Sequence, residues 1–447
     1  MKTIFITSFH QLISRNILSS PFFEMLSSRK DIRIVLFCPK KKEVIFRENF
    51  GKDNVIIEGV DIKLTWGEKF LRYLSLSALS TESLKIKRRT ELHGSGRILS
   101  LFLSNHLGRL LVRFLSGILV PKNFFKRYFL EYQPNLVFSA DIQNDGDSRI
   151  VATAKMLGVR TLGMVRSWDN LTAKGLIKIK PEFLMVHNLL LKDEAIALND
   201  FQDREISVVG VPHYDRYFDY TAKDKKSFCE ELGLNPDKKI ILYIPTGDRY
   251  LGKNDTDFDI LSALEENFSE KFNLLVRMPP GDTVKSFSEK NRGSSVIFDN
   301  PGKKIGNIKN TELLGDDDVR LRDTIKNSDV IICGPSTMSL DATIMDKPVI
   351  LINFDGKSKY GFYESISRFY SHDHFVPVMC SGAVYVSTSM DELNNLINRA
   401  ISHPDEKKWE RHRLSLLESG YFDGKNSARM LSIVERFLKS PDKNDLR

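Results

Sequence analysis

The chain has 447 residues, 41% hydrophobic and 28% charged, a balance typical of a soluble protein with about two or three domains. No stretch reaches the roughly 18–20 uncharged apolar residues that a transmembrane helix needs, and the N-terminal MKTIFITSF is too short and strand-like for a signal peptide. The formal net charge of +8 favours an anionic partner, but without an RNP motif, zinc finger or basic helix-turn-helix we expect no nucleic acid. The four cysteines lie far apart without a CxxC pair, which predicts a reducing, cytoplasmic location.

Short β-branched segments alternate with longer periodic segments, which predicts a doubly wound α/β architecture with parallel sheets. In the first half the predicted strands are 2–7, 32–37, 54–57, 136–139, 160–164, 183–186 and 206–209. In the second half they are 240–244, 273–276, 296–298, 330–333, 349–352 and 383–386. Each series suffices for one Rossmann-like sheet, so we expect two such domains.

A short polar and charged segment, 221–226, separates the two series, and a new helical pattern begins at Ser227. We therefore predict an N-terminal Rossmann-like domain at 1–220 and a C-terminal one at 221–424. Residues 425–447 would form a C-terminal helix and tail that could pack back on the first domain.

Residues 66–132 depart from the alternation, because this segment is long, basic and rich in Leu and Phe. We predict that it is helical. Among its aliphatic and aromatic residues are the cations Arg97, Arg109, Arg113, Lys122, Lys126 and Arg127. This pattern fits peripheral contact with the anionic inner face of a cell membrane. An ordinary helical insert with its basic side in water would show the same periodicity, so both interpretations stay open.

The most informative stretch is 329–354, DVIICGPSTMSLDATIMDKPVILINF, which predicts strand, turn, helix and strand. Gly334 ends the first strand, and Ser336 and Thr337 are good helix-capping residues. Unpaired N–H groups and the dipole at a helix start suit a phosphate, with the two hydroxyls as further donors. Capped units of this kind also occur in ordinary Rossmann folds without a bound anion.

Two other strand ends carry residues suited to phosphate. Thr246, Gly247 and Arg249 follow the strand at 240–244, and Arg277 follows the strand at 273–276. Ligands of open α/β sheets bind at the carboxyl ends of the strands, and a guanidinium can grip phosphate oxygens in a bidentate way. We therefore expect these residues to contribute to a nucleotide diphosphate site.

These motifs, and their order along the chain, resemble those of the GT-B-fold transferases of the CDP-glycerol glycerophosphotransferase and surface-carbohydrate group. The similar segments are YIPTGDR at 243–249, RMPP at 277–280, DVII at 329–332 followed by Ser336, Thr337 and Asp341, KPVI at 347–350, and DGKNSAR at 423–429. The resemblance implies two Rossmann-like domains facing a cleft, with the donor in the C-terminal domain and the acceptor in the N-terminal one.

The resemblance also implies roles for single residues. Ser336 and Thr337, beside Gly334, would contact donor phosphate, and Asp341 would face the hydroxyls of the donor's sugar or glycerol. Arg277 would neutralise charge on the leaving diphosphate. No cofactor and no catalytic metal are implied, and the sequence has no DxD at a strand end that would suggest one.

The N-terminal half departs from the family pattern after the strand at 160–164. The family carries a His-Gly motif there, whereas this chain has MVRSWDNLTAKG at 164–175, with Asp169 in place of the histidine. Asp169 could be a general base that accepts the proton of the acceptor hydroxyl, or only an Asx turn or helix cap. The histidine of the family's Arg-x-His-Pro is also replaced, which favours glycosyl transfer over glycerol phosphate transfer.

Further candidates follow the first-half strands. Asp141 and His10 are further catalytic candidates. Asp141, like Asp145 and Asp147, could line the cleft or only favour a helix start, and His10 could be an incidental loop residue. Ser8, Trp168, Asn170 and Lys174 are predicted on the acceptor side. His372, Asp373 and His374 look like part of a metal site, but no partner stands at a recognisable spacing, so we predict no metal.

Four functions from different classes remain open. The leading hypothesis is a glycosyltransferase that moves a sugar from a nucleotide sugar onto a cell-surface polysaccharide or lipid-linked precursor. The second is a transferase of glycerol phosphate or ribitol phosphate from a CDP-polyol. The third is an enzyme similar to UDP-sugar 2-epimerases, and the fourth is a GT-B protein that binds nucleotide or partner without turnover.

Overall fold

The computed structural model describes residues 1–91, 96–252, 254–285, 287, 296–305 and 307–439. Its contacts divide the chain into two units. The first unit contains Met1–Asp219 and the chain from Leu417 onwards, and the second contains Tyr220–Leu416. The end of the predicted tail, 440–447, lies outside the described residues.

The first unit is built on a seven-stranded parallel sheet in the order β3-β2-β1-β4-β5-β6-β7. Its strands are β1 (Lys2–Thr7), β2 (Ile32–Pro39), β3 (Val55–Val60), β4 (Leu136–Ser139), β5 (Arg160–Met164), β6 (Phe183–Val186) and β7 (Ile206–Val208). β4 and β6 are buried along their whole length and β5 along all but its first residue, as expected for parallel strands covered on both faces. The prediction of a parallel α/β sheet is confirmed here.

Helices cover the faces of this sheet, and five described helices fall within the predicted insert. Outside the insert the helical segments are Gln11–Ile13, Ser14–Leu18, Pro21–Ser27, Lys40–Lys42, Glu43–Phe50, Asp145–Met156, Asn170–Ala173, Leu189–Asn199, Asp203–Glu205, Pro212–Tyr217 and Asn426–Lys439. Within it they are Trp66–Ser77, Glu82–Thr90, Arg97–Leu103, His106–Leu119 and Lys126–Tyr132.

A buried ion pair ties the insert to the helix that follows β4. Glu68 accepts hydrogen bonds from Arg149 Nε and Nη2, both at 2.6 Å, and both side chains are 3% exposed. Glu68 also completes a capping box with Thr65, and the Arg149 guanidinium stacks 4.7 Å from the Phe124 ring. The polar groups of the pair are therefore well satisfied in the interior.

The second unit contains a six-stranded parallel sheet in the order β10-β9-β8-β13-β14-β15. Its strands are β8 (Ile240–Ile244), β9 (Asn273–Arg277), β10 (Val296–Asp299), β13 (Val330–Cys333), β14 (Val349–Ile352) and β15 (Tyr385–Ser387). An antiparallel hairpin of β11 (Lys303–Ile305) and β12 (Asn307–Glu312) was not predicted. The two parallel sheets confirm the predicted fold class.

The helical segments of the second unit lie before β8, between the strands and after β15. They are Lys225–Leu232, Asp248–Leu251, Thr256–Phe268, Gly315–Asn327, Met338–Ile344, Ile366–Ser371, Asp373–Phe375, Val376–Cys380 and Met390–Ser402, and the division between the units falls within Lys408–Ser419.

The segment DGKNSAR at 423–429 fastens the last helix to the first unit. The Asp215 carboxylate accepts hydrogen bonds from the backbone N–H groups of Asn426, at 2.9 Å, and Ser427, at 2.6 Å. Asn426 Nδ2 donates to the Val211 carbonyl at 3.2 Å, and Arg429 pairs with Asp423. The structure therefore gives this motif a structural role at the start of helix Asn426–Lys439.

Within the described residues, no helix is by itself long and apolar enough to cross a membrane. Arg97–Leu103 and His106–Leu119 pass that test only as a pair, and they are bent by 101° at their junction.

Candidate functional site

Each sheet has a topological switch point, where neighbouring strands lead away in opposite directions. In the first unit it lies between β1 and β4, and in the second between β8 and β13. Crevices outside the carboxyl ends of such strands are where open α/β sheets bind ligands. Most of the predicted site residues follow one of these four strands or β5, so each unit carries a candidate site of its own.

In the second unit, the turn after β8 is held by the buried carboxylate of Asp257. This carboxylate accepts hydrogen bonds from Tyr243 Oη at 2.8 Å, Thr246 N at 3.0 Å and Gly247 N at 2.9 Å. Burial raises the pKa of Asp257 above its ordinary value. Gly247 has φ of +92°, a left-handed conformation that suits glycine. The fixed turn places the Thr246 side chain at the switch point.

The turn after β13 lies directly against Thr246. A Cβ built on Gly334 would overlap Thr246 Oγ1, and that hydroxyl has no hydrogen-bond partner among the described residues. Ser336 is partly buried and Thr337 is exposed at the start of helix Met338–Ile344, where Ser336 Oγ accepts from Met338 N at 3.3 Å. Three hydroxyl side chains therefore gather around Gly334.

Replacing Gly334 by alanine is expected to lower the free energy of unfolding by about 1–3 kcal/mol, because the added methyl group overpacks the turn. In the double variant Gly334→Ala/Thr246→Ala the overlap with Thr246 Oγ1 is removed, and the nearest remaining atoms are Ile366 Cδ1 at 3.2 Å and Thr246 Cβ at 3.4 Å from the new methyl group, so most of the lost stability should return. Urea unfolding should show this rescue. Gly315→Ala is the matched control, because nothing lies within 4 Å of a Cβ there. Additive losses in the double variant would contradict the packing described here.

Three predicted donor residues differ in their access to a ligand. Arg277 is paired with the carboxylate of Asp299, and the two side chains are 7% and 1% exposed. Asp341 is 1% exposed on helix Met338–Ile344, so a ligand cannot reach its carboxylate in this conformation. Arg249, by contrast, is exposed beside the turn after β8. Of the two predicted arginines, Arg249 is therefore the accessible one, and Arg277 would contact phosphate only after leaving Asp299.

In the first unit, buried Asp147 joins the ends of β1 and β4. Its Oδ1 accepts hydrogen bonds from Thr7 Oγ1, from Ser139 Oγ at 2.7 Å and from Asp141 N at 3.3 Å. Burial, reinforced by the nearby charge of Asp141, raises the pKa of Asp147 to about 8. A buried carboxyl group that accepts three hydrogen bonds therefore braces this switch point.

Asp141 is enclosed rather than presented to a ligand. It is 2% exposed, its carboxylate pairs with Arg166, and Asn170 Nδ2 donates to it at 3.4 Å. Asn170 is itself fully buried. In this structure Asp141 thus holds Arg166 in place, with Asn170 beside it, while the predicted catalytic role of Asp141 and acceptor contact of Asn170 stay predictions.

Asp169 is the more accessible carboxylate of this unit's crevice. Its side chain is 21% exposed and lies 3.0 Å from Lys174 Nζ. It stands at the start of helix Asn170–Ala173, but its side chain makes no capping hydrogen bond to that described helix. This geometry does not support the helix-cap alternative. Trp168 is also partly exposed here, whereas Ser8 is only 1% exposed.

His10 caps a helix and is surrounded by cations. Its Nδ1 accepts from Leu12 N at 3.2 Å, which places the proton of the neutral ring on Nε2. Burial, followed by the charges of Arg166, Lys174 and Lys42, lowers the pKa of His10 to about 3, although Asp169 opposes them. His10 is therefore a neutral N–H donor and a poor base in this structure, and its predicted catalytic role stays a prediction.

Sequence reasoning missed the residues that hold the two crevices in shape. Asp257 anchors the turn after β8, and Arg166 adds positive charge to the first crevice, whereas Asp147 was named only as a residue that could line the cleft or favour a helix start. Sequence reasoning could have found these residues from their positions, because each stands at the start of a helix or directly after a strand. The part of the chain that the structure describes contains no group of three or more His, Cys, Asp or Glu residues arranged to hold a metal ion.

Solved structures of low sequence identity share this fold. A UDP-GlcNAc 2-epimerase from Methanocaldococcus jannaschii is 13% identical, with a TM-score of 0.58, and 98% of this chain and 100% of that chain are covered. The wall teichoic acid polymerase TagF is also 13% identical, with a TM-score of 0.54 and coverage of 98% and 89%. At such identities the likeness shows a common fold only.

Comparison of sequences identifies the family more specifically than the similarity of folds does. A teichoic acid glycerol-phosphate primase from Bacillus subtilis (strain 168) is 22% identical over 241 residues, which are 53% of this chain and 53% of the relative. The match thus spans about half the length of this curated relative. The family model for CDP-glycerol:poly(glycerophosphate) glycerophosphotransferase matches residues 183–436, more than half of the chain, and includes both turns of the second unit. The resemblance seen in the sequence is confirmed, and the chain belongs to the CDP-glycerol:poly(glycerophosphate) glycerophosphotransferase family.

Proposed function

We propose that the protein transfers a polyol phosphate unit, such as glycerol phosphate, from a CDP-activated donor to a hydroxyl group of a cell-surface polymer precursor. The observation that carries this proposal is the family match over residues 183–436. It includes the hydroxyl-rich crevice at the switch point of the second unit, and it favours polyol phosphate transfer over the glycosyl transfer that led the sequence analysis.

The donor diphosphate would lie at the crevice of the second unit. The hydroxyls of Thr246, Ser336 and Thr337 would donate hydrogen bonds to its oxygens, and Arg249 would supply positive charge. Hydrogen bonds to charged oxygens contribute about 1.5–3 kcal/mol each. Arg277, held by Asp299, would keep the end of β9 in place beside this crevice.

The acceptor would lie at the crevice of the first unit. Arg166, Lys174 and Lys42, together with the Nε2–H of His10, suit an anionic group near the reacting hydroxyl. Asp169 would accept the proton of that hydroxyl. The oxygen attacks the phosphorus that carries the polyol, a new P–O bond forms, and the P–O bond to the nucleotide breaks, so CMP leaves.

Glycosyl transfer remains the second candidate, because Asp169 is an accessible carboxylate where the family resemblance expects histidine. The two reactions differ in the nucleotide released. Attack on phosphorus of a CDP-polyol releases CMP, whereas attack on the sugar carbon of a UDP-, GDP- or dTDP-sugar releases the nucleoside diphosphate.

We also propose a cytoplasmic site of action, which is supported by the four cysteines, all of them free thiols in the structure.

A thermal-shift screen tests the donor. The purified protein is heated with CDP-glycerol, CDP-ribitol or a panel of UDP-, GDP-, dTDP- and CMP-sugars, with and without Mg²⁺. We expect a CDP-polyol at about 100 times its Kd to stabilise the fold by roughly 2.7 kcal/mol. Ser336→Ala should reduce that stabilisation, while Ser402→Ala, at an exposed helix end outside the crevice, should not.

The released nucleotide then decides between the two reactions. Chromatography of turnover mixtures with the stabilising donor should show CMP. A nucleoside diphosphate from a sugar donor would establish glycosyl transfer instead. A nucleotide sugar that is converted without any acceptor would point to an epimerase, and no stabilisation by any donor would overturn the proposed donor site.

A further inference from the structure

A cleft in the first unit carries an unusual concentration of positive charge. It has a volume of about 510 Å³ and is lined by residues of helix His106–Leu119, helix Asp145–Met156 and the chain at 178–180. Pockets for small ligands typically measure about 300–1,000 Å³. None of its nine described lining residues is acidic, and five are cations: Arg113, Lys122, Lys155, Lys178 and Lys180. We call this feature the cationic cleft.

The carboxylates beside the cationic cleft are shared between cations. Two carboxylates each pair with two cations: Asp200 with Arg109 and Arg113, and Asp145 with Arg72 and Lys178. Two negative charges thus face four positive charges in these ion pairs. A ligand anion would offset the positive charge that these carboxylates leave.

Arg109 and Arg113 have a structural role in this arrangement. Their side chains are 16% and 13% exposed, and they lie 2.7 and 2.6 Å from the Asp200 carboxylate. They therefore hold helix His106–Leu119 to the rest of the unit, and their predicted contact with a membrane stays a prediction. Lys122, from the same predicted set, is exposed and lines the cationic cleft.

Part of the charge in the cationic cleft is shielded from water. Lys178 is only 6% exposed. Burial lowers the pKa of Lys180, although Glu205 opposes this shift, and the charge of Arg113 adds to it. Burial also lowers the pKa of Arg113. A partly desolvated cation attracts a ligand anion more strongly than a fully hydrated one does, because the effective dielectric constant around it is lower.

The cationic cleft also has an uncharged wall, formed by Ala152, Met156, Ile179 and Gly117. A Cβ built on Gly117 would meet no atom of the described residues within 4 Å, so helix His106–Leu119 leaves open space here. Glycine inside a helix is less favourable than alanine, and a need for space is a physical reason for it at this position. The carbon skeleton of an organic ligand fits such a wall, whereas inorganic phosphate would leave it uncovered.

The cations are spread along the cationic cleft and not gathered at one point. Lys178 pairs with Asp145 at the start of helix Asp145–Met156, and Lys155 stands near the end of that helix. At a rise of about 1.5 Å per residue, Asp145 and Lys155 are about 15 Å apart along the helix axis. This spacing favours a ligand with more than one anionic group.

We infer that the cationic cleft binds an organic anion that carries two or more phosphate groups. Lysine and arginine bind phosphate oxygens through charge-assisted hydrogen bonds. The site is separate from the two crevices, because none of its described lining residues is among those assigned to either crevice. Small bisphosphorylated compounds and polyol phosphate chains both carry such groups, and the experiment distinguishes these two sources. The inference does not depend on the proposed reaction.

Lysine footprinting tests the inference at the cationic cleft itself. The full chain is acetylated with a water-soluble reagent in the presence of fructose 1,6-bisphosphate, a short synthetic glycerol phosphate chain or citrate, and mass spectrometry quantifies each modified lysine. We expect at least one of the two phosphate ligands to slow the acetylation of Lys122 and Lys155, which are exposed. Citrate, with carboxylates in place of phosphates, should protect them far less. Lys30 and Lys85, exposed lysines of the same unit outside the cleft, should react at an unchanged rate.

A steric variant tests whether the ligand lies inside the cationic cleft. Gly117→Met keeps every cation but fills the open space, so it should remove the protection of Lys122 and Lys155. The matched control is Gly315→Met in the second unit, since a Cβ on Gly315 also meets no described atom within 4 Å. It should leave the protection intact. Melting temperatures check that both variants are folded.

A charge variant tests the contacts by calorimetric titration with the protecting ligand. Lys122→Gln/Lys155→Gln should weaken binding by about tenfold or more, because it removes two charge-assisted hydrogen bonds. Lys30→Gln/Lys85→Gln removes the same charge from the same unit and should bind like the wild type. The altered lysines are all exposed, so both variants should melt like the wild type.

The pattern of protection decides the outcome. Protection by the bisphosphate alone would assign the cationic cleft to a small free ligand, and protection by the chain alone would assign it to a polyol phosphate polymer. Absence of protection by either would overturn the inference. Protection that persists in Gly117→Met would place the ligand outside the cleft, and equal protection of Lys30 and Lys85 would show general screening of charge, so both results would also overturn it. Equal protection by citrate would overturn the choice of phosphate.

Discussion

Asp169→Asn is expected to lower turnover by about 10²–10⁴-fold, the range typical of a lost general base. The amide cannot accept the proton of the attacking hydroxyl, while the shape of the side chain is kept. The affinity for the donor should not change, because every residue proposed to bind the donor lies in the second unit. Single-turnover kinetics with the stabilising donor, combined with calorimetric titration of that donor, measures both quantities.

The control is Asp203→Asn, which changes another aspartate of the first unit that is paired with a lysine, Lys192, at 2.6 Å. Its turnover should match that of the wild type, and both variants should melt within about 2 °C of it, because exposed pairs contribute only about 0–1 kcal/mol. Full turnover in Asp169→Asn would remove the base assignment and direct attention to a group supplied by the acceptor.

Glu68→Gln is expected to lower the free energy of unfolding of the first unit by about 3–5 kcal/mol, because it leaves the buried Arg149 cation without its counter-charge. The effect is large for a single substitution, since both side chains are 3% exposed and joined by two hydrogen bonds of 2.6 Å. Urea unfolding followed by circular dichroism gives the change in midpoint. Separate transitions of the two units should be fitted separately.

Two further variants test whether the loss of stability in Glu68→Gln comes from the unpaired buried charge. Glu82→Gln removes an exposed partner of Lys85, where the side chains are 51% and 54% exposed, and it should cost no more than about 1 kcal/mol. The double variant Glu68→Leu/Arg149→Met replaces the whole pair by apolar side chains and should recover much of the loss. If Glu68→Gln is as stable as Glu82→Gln, the buried pair does not anchor the insert.

The parallel strands were predictable because their apolar, β-branched runs are dense and are buried along most of their length. β1, β4, β5, β6, β8, β13 and β14 begin and end at the predicted residues. The hairpin of β11 and β12 was not predicted, since Lys303–Ile305 and Asn307–Glu312 are mostly polar and show no clear alternation. A strand formed mainly by backbone pairing leaves little trace in a hydrophobic pattern.

The candidate site was only partly predictable, for a similar reason. The turns around Thr246 and Gly334 could be found because glycine and hydroxyl residues follow buried strands at fixed positions. The ion pair of Arg277 could not be predicted, because it depends on the register of β9 and β10, which places Asp299 directly beside Arg277. A residue pattern shows that a charge stands at a strand end, but not which neighbouring strand supplies its partner.

The division of the first unit between both ends of the sequence also has a consequence for synthesis. Helix Asn426–Lys439 packs on the first unit, where Asp215 caps it, yet the ribosome makes it only after all of Tyr220–Leu416. The second unit can therefore fold cotranslationally while the first still lacks a piece of its surface, a reversal of the usual N-terminal-first order. Until that helix emerges, Phe183 and Arg160, which it covers through Phe437, remain open to solvent and to chaperones.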